Sequence, residues 1–428
     1  MPSLASPAFR LFLSGALVAN VGTWMQATAQ GWLVLRLTDS PASLGLASFA
    51  ALVPTLILSL YAGVLADRLD RRRLLLGTQV AIGLLAAVLA LLVTAGVVEF
   101  WQILVIAFLA GTAQALGLPA FQALVPMLVE RRVVGNAIAL NSAQFNLSRI
   151  LGPVLAGILV ASVGEAASFW LNAAAACVLV YALHTIRLPR QEAMARAEAG
   201  LWSNLLDGLR YVRSQKVLAA LVVLAGAPAL FVLPYIALMP LYARDILAIG
   251  APGLGLLTAA VGLGAVGGAL LLALLRPQGS NGRVLVVGFV WAAVALAAFA
   301  LSQVVWLSCI ALAALGAALI GYYTSTNTLV QLLSPSRFRG RILSVQALTS
   351  LGLLPVGSLV AGAVAARVGA PVTLLGGAVL ALVALGLVLA WCPQLWSLRP
   401  DATLGAPGRA RPPEAGRRSS TAELPLEG

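Results

Sequence analysis

The sequence predicts an all-α integral membrane protein with twelve transmembrane helices in two six-helix bundles, which are related by a pseudo-two-fold axis. Three observations lead to this fold class: an apolar composition, long apolar runs that recur along the chain, and charges confined to the turns between them. Hydrophobic residues make up 61% of the chain and charged residues only 10%, whereas a soluble domain carries about 25% charged residues. The composition therefore excludes an ordinary soluble domain.

Apolar runs of membrane-spanning length define the elements in chain order. A helix needs about 20 apolar residues to cross a hydrocarbon layer about 30 Å thick, and the strands of a membrane barrel are shorter and alternate in polarity. Twelve runs meet this requirement: Leu11–Leu33, Leu44–Ala66, Leu74–Ala95, Ile103–Val125, Ala137–Val160, Ala167–Ile186, Val217–Tyr242, Gly253–Leu275, Val284–Leu301, Val305–Val330, Leu343–Ala366 and Val372–Trp391. Each is predicted to be one transmembrane helix.

A polar stretch divides the twelve predicted helices six and six. We expect a first bundle in residues 1–190, a linker in 191–215, a second bundle in 216–396 and a disordered cytoplasmic tail in 397–428. The linker has a helical pattern around Leu201–Val212, which is predicted to lie along the membrane surface. The tail is rich in Pro, Gly, Arg and Glu, a composition that buries too little apolar surface to fold.

The distribution of arginine predicts the orientation of the chain. The net charge is +13, but the basic residues are spread over turns and the tail, which argues against a nucleic-acid partner. The even-numbered turns and both termini carry most of the arginines, while the odd-numbered turns contain only Arg36, Arg244 and Arg367. Since positively charged turns stay in the cytoplasm, both termini are predicted to be cytoplasmic.

Short motifs of the first half recur at comparable positions in the second half. Three pairs are found: Ser43–Leu46 with Pro252–Leu256, Gln122–Pro126 with Gln331–Pro335, and the set Gly152, Pro153, Gly157 with the set Pro355, Gly357, Gly362. Internal duplication of a six-helix unit is typical of one large transporter architecture.

The turn between the second and third predicted helices, Gly63–Arg73, places six ionisable side chains between two apolar runs. It resembles the loop-two signature of the major facilitator superfamily, in which a glycine is followed by Asp-Arg and then by paired basic residues. Those positions are held by Gly63, Asp67, Arg68, Arg71 and Arg72. A second glycine that often follows Asp-Arg in that superfamily is replaced here by Asp70.

More narrowly, the chain resembles the branch of bacterial exporters that includes the enterobactin exporter and macrolide-efflux-like proteins. The matching stretches are Trp24–Gln26, Ala66–Arg72, Ala139–Ser142, Asn146–Pro153 and Arg339–Ser344. This resemblance implies a secondary-active, proton-coupled exporter of a small amphipathic molecule, such as a drug, a siderophore or another metabolite. It also implies alternating access in a bacterial cytoplasmic (inner) membrane. We expect a monomer, although the sequence leaves the oligomeric state open.

The resemblance implies a gate in the Gly63–Arg73 turn. In the outward-open state, Asp67 is expected to latch the two bundles together by facing the start of the eleventh helix, at Arg339, Gly340 and Arg341, because a carboxylate is stabilised at a helix N-terminus. The alternative is that Asp67 only helps to set the topology, and that the neighbouring arginines are markers of the cytoplasmic side.

The fifth predicted helix carries a second motif. Gly152, Pro153 and Gly157 resemble the signature of antiporters in this superfamily, although any membrane helix can use such residues for a bend. Arg149 lies about one turn before them, inside an apolar run. An intramembrane arginine is costly, so it is expected to face a cavity or a partner; the alternative is that its side chain extends to the membrane surface.

Polar and aromatic side chains within the predicted helices are candidates for lining a substrate cavity. They are Asn20, Trp24, Gln26, Gln30, Gln114, Asn141, Gln144, Asn146, Tyr235, Tyr323 and Asn327. As a set they predict a wide amphipathic cavity. Each of them can instead make a helix–helix hydrogen bond, which is worth about 0.6 kcal/mol on average.

Several functions and ligands are disfavoured by what the sequence does not contain. It has no phosphate-cradling glycine loop with Lys-Ser/Thr, which argues against an ATP-driven pump, and a single histidine, His184, which argues against a membrane enzyme. We expect no metal and no cofactor. The predicted helices contain no Asp or Glu, which weakens the case for proton coupling. A solute importer and a non-transporting membrane sensor or assembly partner remain as alternatives.

Overall fold

The computed structural model describes residues 2–186, 201–275 and 281–398, and within these ranges it contains helices and no strand. The start of the predicted linker and most of the predicted tail lie outside the described residues. The helices are α1 Pro7–Thr38, α2 Pro41–Arg68, α3 Arg71–Thr94, α4 Phe100–Met127, α5 Val134–Ser162, α6 Glu165–Thr185, α7 Leu201–Ser214, α8 Lys216–Phe231, α9 Tyr235–Leu241, α10 Gly250–Leu275, α11 Asn281–Leu301, α12 Val305–Leu333, α13 Arg339–Gly352, α14 Leu354–Val368 and α15 Ala370–Trp391.

The helices form the twelve predicted spans. In the described part of the chain, eleven stretches are long and apolar enough to cross a membrane. The twelfth span is α1, which has 32 residues and carries several of the polar side chains predicted to line a cavity. The surface-helix pattern of the linker corresponds to α7, which lies between the spans of the two halves.

The seventh and eleventh spans each consist of two helices, although the sequence predicted one continuous helix for each. The seventh span is interrupted between α8 and α9, where Pro234 precedes Tyr235, and continues after α9 as a π-helical turn at Tyr242–Ile246. The eleventh is interrupted at Leu353, two residues before Pro355. Proline lacks a backbone N–H and disfavours helical geometry in the preceding residue, which accounts for breaks at these positions.

The two halves meet along two pairs of helices, α2 with α14 and α5 with α10. We call the end of the molecule at which α1 begins, at Pro7, the proximal end, and the end at which α1 finishes, at Thr38, the distal end. The packing within the first half joins α1 to α5 and α6, and α2 to α4. The second half packs α12 against α10 and α11.

The motifs repeated in the two halves pack against each other across this interface. A Cβ atom built on Gly45 of α2 would lie 2.6 Å from the carbonyl oxygen of Ser358 on α14. On the other side of the molecule, a Cβ on Gly255 of α10 would lie 2.5 Å from the carbonyl oxygen of Pro153 on α5. Small residues therefore bring the backbones of the two halves into direct contact, as is common between membrane helices.

The outer surface of the bundle is apolar. Large side chains such as Leu84, Leu274 and Leu387 are more than half exposed, which is the expected arrangement where lipid chains, rather than water, cover the protein. Trp101 and Trp306 are exposed at the distal end, and Trp391 and Trp396 at the proximal end. Tryptophan favours the two membrane–water interfaces, so these positions mark the limits of the buried band.

A central cavity between the two halves

A cavity of about 430 Å³ lies between the two halves of the molecule. Its walls are formed by α1 to α6 of the first half and by α9 and α10 of the second. The polar and aromatic side chains of the lining are Asn20, Thr23, Trp24, Gln26, Thr28, Gln30, Ser48, Thr55, Gln114, Phe145, Arg149, Asn172, Tyr235 and Thr258. The cavity is therefore amphipathic, with most of its polar groups on the first half.

Seven residues that the sequence singled out are brought together in this lining. They are Asn20, Trp24, Gln26, Gln30, Gln114, Arg149 and Tyr235. Four of them lie on α1, within eleven positions of each other. One face of α1 thus provides much of the polar wall, because residues three or four apart share a face of a helix.

Arg149 is in the middle of α5 and lies in the cavity wall. Its guanidinium carbon is 5.8 Å from the centre of the Trp24 ring, over the ring face. The guanidinium also interacts with the hydroxyl of Tyr235 on α9 and, through space, with Tyr323 on α12. Arg149 of the first half therefore interacts directly with Tyr235 of the second half.

Gly152 explains how Trp24 comes to lie beside Arg149. A Cβ on Gly152 would be 2.5 Å from the Cβ of Trp24 and 2.9 Å from the carbonyl oxygen of Val21. Only glycine lets α5 approach α1 this closely, one turn away from Arg149. The indole also contacts Phe145 of α5 edge-on, with the ring centres 6.1 Å apart.

Gln26 belongs to a buried amide pair that the sequence reasoning missed. The Nδ2 of Asn172 on α6 donates a 2.7 Å hydrogen bond to the Oε1 of Gln26, and both side chains are in the cavity wall. An asparagine inside the apolar span of α6 was the signal that could have identified it, since polar residues within spans face a partner or a cavity.

The other predicted lining residues of α5 lie outside the cavity wall. Gln144 is buried behind α1, where its side-chain oxygen accepts a 3.3 Å hydrogen bond from Asn20, and it donates to Asn141 at 3.3 Å. The amide of Asn146 donates to the carbonyl oxygen of Ser142 in its own helix. Gln144 therefore links α5 to α1, Asn141 accepts a hydrogen bond from Gln144, and Asn146 binds a backbone carbonyl of its own helix.

The second half contributes fewer lining residues than the sequence suggested. Tyr323 is near Arg149 and Tyr235 but is not part of the wall. Asn327 accepts a 3.2 Å hydrogen bond from Gln346 of α13 and also lies outside the wall. Both belong to α12, which packs on α10 and α11, and α10 instead faces the cavity with Leu254, Thr258 and Val261.

The remaining residues of the helix-five motif lie at the interface between the halves. The carbonyl oxygen of Pro153 faces Gly255 of α10, and a Cβ on Gly157 would be 2.7 Å from the carbonyl oxygen of Ala251. Gly157 and Pro153 therefore allow α5 and α10 to touch towards the distal end.

The Gly63–Arg73 turn lies at the proximal end. Asp67 and Arg68 are in the last turn of α2, and their side chains lie outside the described part of the structure. Gly63 faces open space, with no atom within 4 Å of an added Cβ. Arg71 contacts the sulfur of Met127 at 3.6 Å, and Arg72 donates to the carbonyl oxygens of Leu183 and His184 at the end of α6.

The second part of the predicted gate, Arg339–Arg341, lies at the start of α13. Gly340 also faces open space, and Arg339 donates a long, 3.5 Å hydrogen bond to the carbonyl oxygen of Ser334. Arg341 pairs with Asp207 of α7 at 2.9 Å, and its guanidinium lies over the ring of Phe338. The linker helix α7 is thereby attached to the start of α13.

Two arginines at the distal end, Arg244 and Arg36, form ion pairs that the sequence reasoning did not find. Arg244, after α9, pairs with Asp39 at the end of α1 and with its neighbour Asp245, so it links the two halves. Arg36 of α1 pairs with Glu165 at the start of α6 at 2.7 Å, within the first half. The pairs with Asp39 and Glu165 join residues that are far apart in sequence. No local pattern in the sequence therefore indicates them.

Twelve membrane-spanning helices in two similar halves, with a polar cavity between them, define a membrane transporter. A family model described as "Transmembrane secretion effector" matches residues 1–399, and the chain belongs to this family of the major facilitator superfamily. The fold agrees: the D-xylose-proton symporter superimposes with a TM-score of 0.71 over 92% of this chain and 99% of its own, at 14% identity.

Relatives of known name are transporters as well. The "Multidrug efflux pump Tap" of Mycolicibacterium fortuitum is 28% identical over 397 residues, which cover 91% of this chain and 96% of the pump. The "Staphyloferrin A transporter" of Staphylococcus aureus is 31% identical over 153 residues, 36% of this chain and 38% of that protein. A bacterial homologue of the lysosomal transporter Spinster, solved in an inward-facing and unoccupied conformation, gives a TM-score of 0.72 over 92% of this chain and 98% of its own, at 13% identity.

Proposed function

We propose that the protein exports a small amphipathic molecule from the cytoplasm by alternating access. The observation that supports this most directly is the amphipathic cavity of about 430 Å³ between the two halves. In this architecture the substrate site lies near the middle of the membrane, and the halves rock about it. The distal end is packed, whereas Gly63 and Gly340 at the proximal end face open space, which fits a state open towards the proximal end.

The orientation we propose places the proximal end and both termini in the cytoplasm. The turns at the proximal end contain Arg71, Arg72, Arg131, Arg132 and the Arg337–Arg341 stretch, and positively charged turns stay on the cytoplasmic side. Because several relatives, including the Tap pumps, are bacterial proteins, we assign the chain to a bacterial cytoplasmic membrane. The two six-helix bundles, residues 1–190 and 216–396, are the moving units of this proposal.

The class of substrate follows from the cavity and from the names of the relatives. A multidrug efflux pump and a staphyloferrin A transporter are both similar to this chain, which supports a small molecule as the cargo. The lining offers aromatic rings and amides for such a molecule. We propose a monomer that carries its substrate without converting it chemically.

The coupling ion is proposed only by resemblance. Proton coupling needs a titratable group that each side of the membrane reaches in turn, and the described cavity lining contains no carboxylate. The carboxylates Asp39, Asp245 and Glu165 are at the distal end in ion pairs. Coupling of transport to protons therefore remains a prediction for this chain.

The direction of transport is tested in membrane vesicles of both orientations from cells with and without the gene. Cells lacking the gene are first compared with wild-type cells for metabolites inside and outside, and the compound that accumulates inside is the cargo. We expect inverted vesicles to take it up and right-side-out vesicles not to. Uptake only by right-side-out vesicles would establish an importer, and unchanged metabolites with unchanged drug susceptibility would contradict export.

A further inference from the structure

In the part of the chain that the structure describes, the cavity wall contains one charged side chain, that of Arg149. We propose that Arg149 is the anion-binding group of the cavity, and that the exported molecule carries a carboxylate or a similar anionic group next to an aromatic part. This inference rests on the proposed transport function, because it names the class of molecule that the same cavity takes.

The surroundings of Arg149 support the assignment. Among the described residues, its guanidinium lies over the face of the Trp24 ring and interacts with the hydroxyl of Tyr235, and no hydrogen bond or ion pair joins it to a carboxylate. A charged side chain within a membrane span is costly and is normally paired. Because the described cavity wall provides no counter-charge, an anionic ligand is the partner that fits.

A purely structural role for Arg149 would be to join α5 to α9 through the hydroxyl of Tyr235. A neutral donor such as glutamine can hold a tyrosine hydroxyl without placing a charge inside the membrane. Guanidinium, in contrast, presents parallel N–H donors that match a carboxylate. The charge is therefore better explained by a ligand than by Tyr235.

The other residues of the cavity wall indicate which chemical groups the rest of the ligand carries. Trp24 and Phe145 flank Arg149 with aromatic surface, so an aromatic or other flat apolar group can lie beside the bound anion. The amides of Gln26, Gln30 and Gln114 offer hydrogen bonds further along the wall. A cationic molecule would be repelled by Arg149, and the described wall contains no carboxylate to bind it. This repulsion between like charges disfavours cationic ligands.

An anionic cargo also changes what is required to drive export. The cytoplasm is electrically negative, so moving one negative charge outward is favoured by the membrane potential, by about 50-fold in concentration ratio per 100 mV. Such a cargo is expelled without any titratable carboxylate in the spans. This agrees with the absence of Asp and Glu from the described lining.

The test uses three probes that share a fluorophore and differ in charge: dansylglycine (anionic), dansylglycinamide (neutral) and dansyl-ethylenediamine (cationic). Binding to the purified full-length protein in lipid nanodiscs is measured by energy transfer from tryptophan to dansyl. We expect dansylglycine to bind at least about tenfold more tightly than either other probe, since hydrogen bonds to charged groups are worth about 1.5–3 kcal/mol.

Two variants and a matched control locate the effect. Arg149→Gln is expected to abolish the preference for dansylglycine, and Arg149→Lys to keep part of it. Arg367→Gln removes an exposed arginine at the end of α14, away from the cavity, and is expected to keep the full preference. If Arg149→Gln does not fold, the preference of the wild-type protein and of Arg149→Lys still decides the question.

An affinity for dansylglycine no higher than for the other two probes, including no measurable affinity for any of them, overturns the assignment. So does an anion preference that persists in folded Arg149→Gln. The proposed export function is judged separately by the vesicle assay. A neutral or cationic cargo identified there would leave export standing and remove the anion site.

Discussion

The distal and proximal ends join the same two halves in different ways. At the distal end the backbones of α2 and α14 touch at Gly45, those of α5 and α10 touch at Gly157 and Gly255, and Arg244 bridges the halves. At the proximal end, Arg72 binds the end of α6 in its own half. The distal end is closed by backbone packing between the halves, whereas Arg72 at the proximal end makes its described hydrogen bonds within its own half.

This difference identifies what opposes the opening of each end. Backbone contact between small residues depends on the distance between helices and tolerates no added atom. Charged contacts at a membrane surface act over longer distances and are weakened by water. We therefore expect changes to the distal glycines to have larger effects than changes to any single charge, and the predictions below follow that order.

The largest effect is expected from Gly45→Leu, compared with Gly386→Leu on α15. The first substitution places a side chain where an added Cβ already lies 2.6 Å from Ser358, and the second fills open space. Overpacking costs about 1–3 kcal/mol, so Gly45→Leu should separate the halves at the distal end.

The measurement is labelling of a cysteine introduced at Gln30, in the cavity wall, by an impermeant maleimide added outside the cell. The native residues Cys177, Cys309 and Cys392 are first replaced. Labelling should rise about fivefold or more in Gly45→Leu, in line with at least 1 kcal/mol, and stay unchanged in Gly386→Leu. An unchanged rate in the Gly45 variant would show that the distal contact does not control access.

Asp67→Asn is expected to have the next largest effect. If Asp67 latches the proximal end in the opposite state by facing the start of α13, loss of its charge removes about 0.3–2 kcal/mol and lowers the transport rate several-fold. The measurement is transport of the identified cargo at matched levels of membrane insertion.

Asp70→Asn is the matched control for this prediction. The carboxylate of Asp70 accepts a 2.8 Å hydrogen bond from the backbone N–H of Arg73, so it caps α3, and asparagine can take over that role. Its transport should stay near the wild-type rate. Normal transport in Asp67→Asn would leave Asp67 as a topology marker.

A smaller effect is expected when the distal ion pair is broken. Arg244→Gln loses the link to Asp39, whose side chain is 79% exposed, and exposed pairs contribute about 0.2–1 kcal/mol. The labelling assay at position 30 should show a rise of about two- to fivefold. Arg36→Gln is the control, because Arg36 pairs with Glu165 within the first half; an equal rise in both variants would argue against a specific role for the bridge between halves.

The smallest effect is expected from Asp207→Asn, which removes the pairing of α7 with Arg341. Hydrogen exchange of residues 201–214 should become faster, while transport changes by less than about twofold, since the pair is half-exposed. Arg210→Gln is the control: Arg210 is 3.9 Å from Asp207 and 81% exposed. Faster exchange in this control than in Asp207→Asn would contradict the docking role of Arg341.

The sequence by itself determined the membrane class, the twelve spans and the family, because these depend on local hydropathy and on short motifs. It also singled out Arg149, since a charge within an apolar run is conspicuous wherever it occurs. The breaks in the seventh and eleventh spans were also predictable, because Pro234 and Pro355 lie inside the predicted helices and proline interrupts a helix.

Only the tertiary structure decided which polar groups share the cavity. Gln26 and Asn172 meet across a sequence separation of 146 residues, while Asn141 and Asn146 on α5 are directed elsewhere. The contact of Arg244 with Asp39 likewise spans 205 positions. The rotation of each helix and the helix that it faces depend on packing between distant segments, and hydropathy along one helix contains no information about that choice.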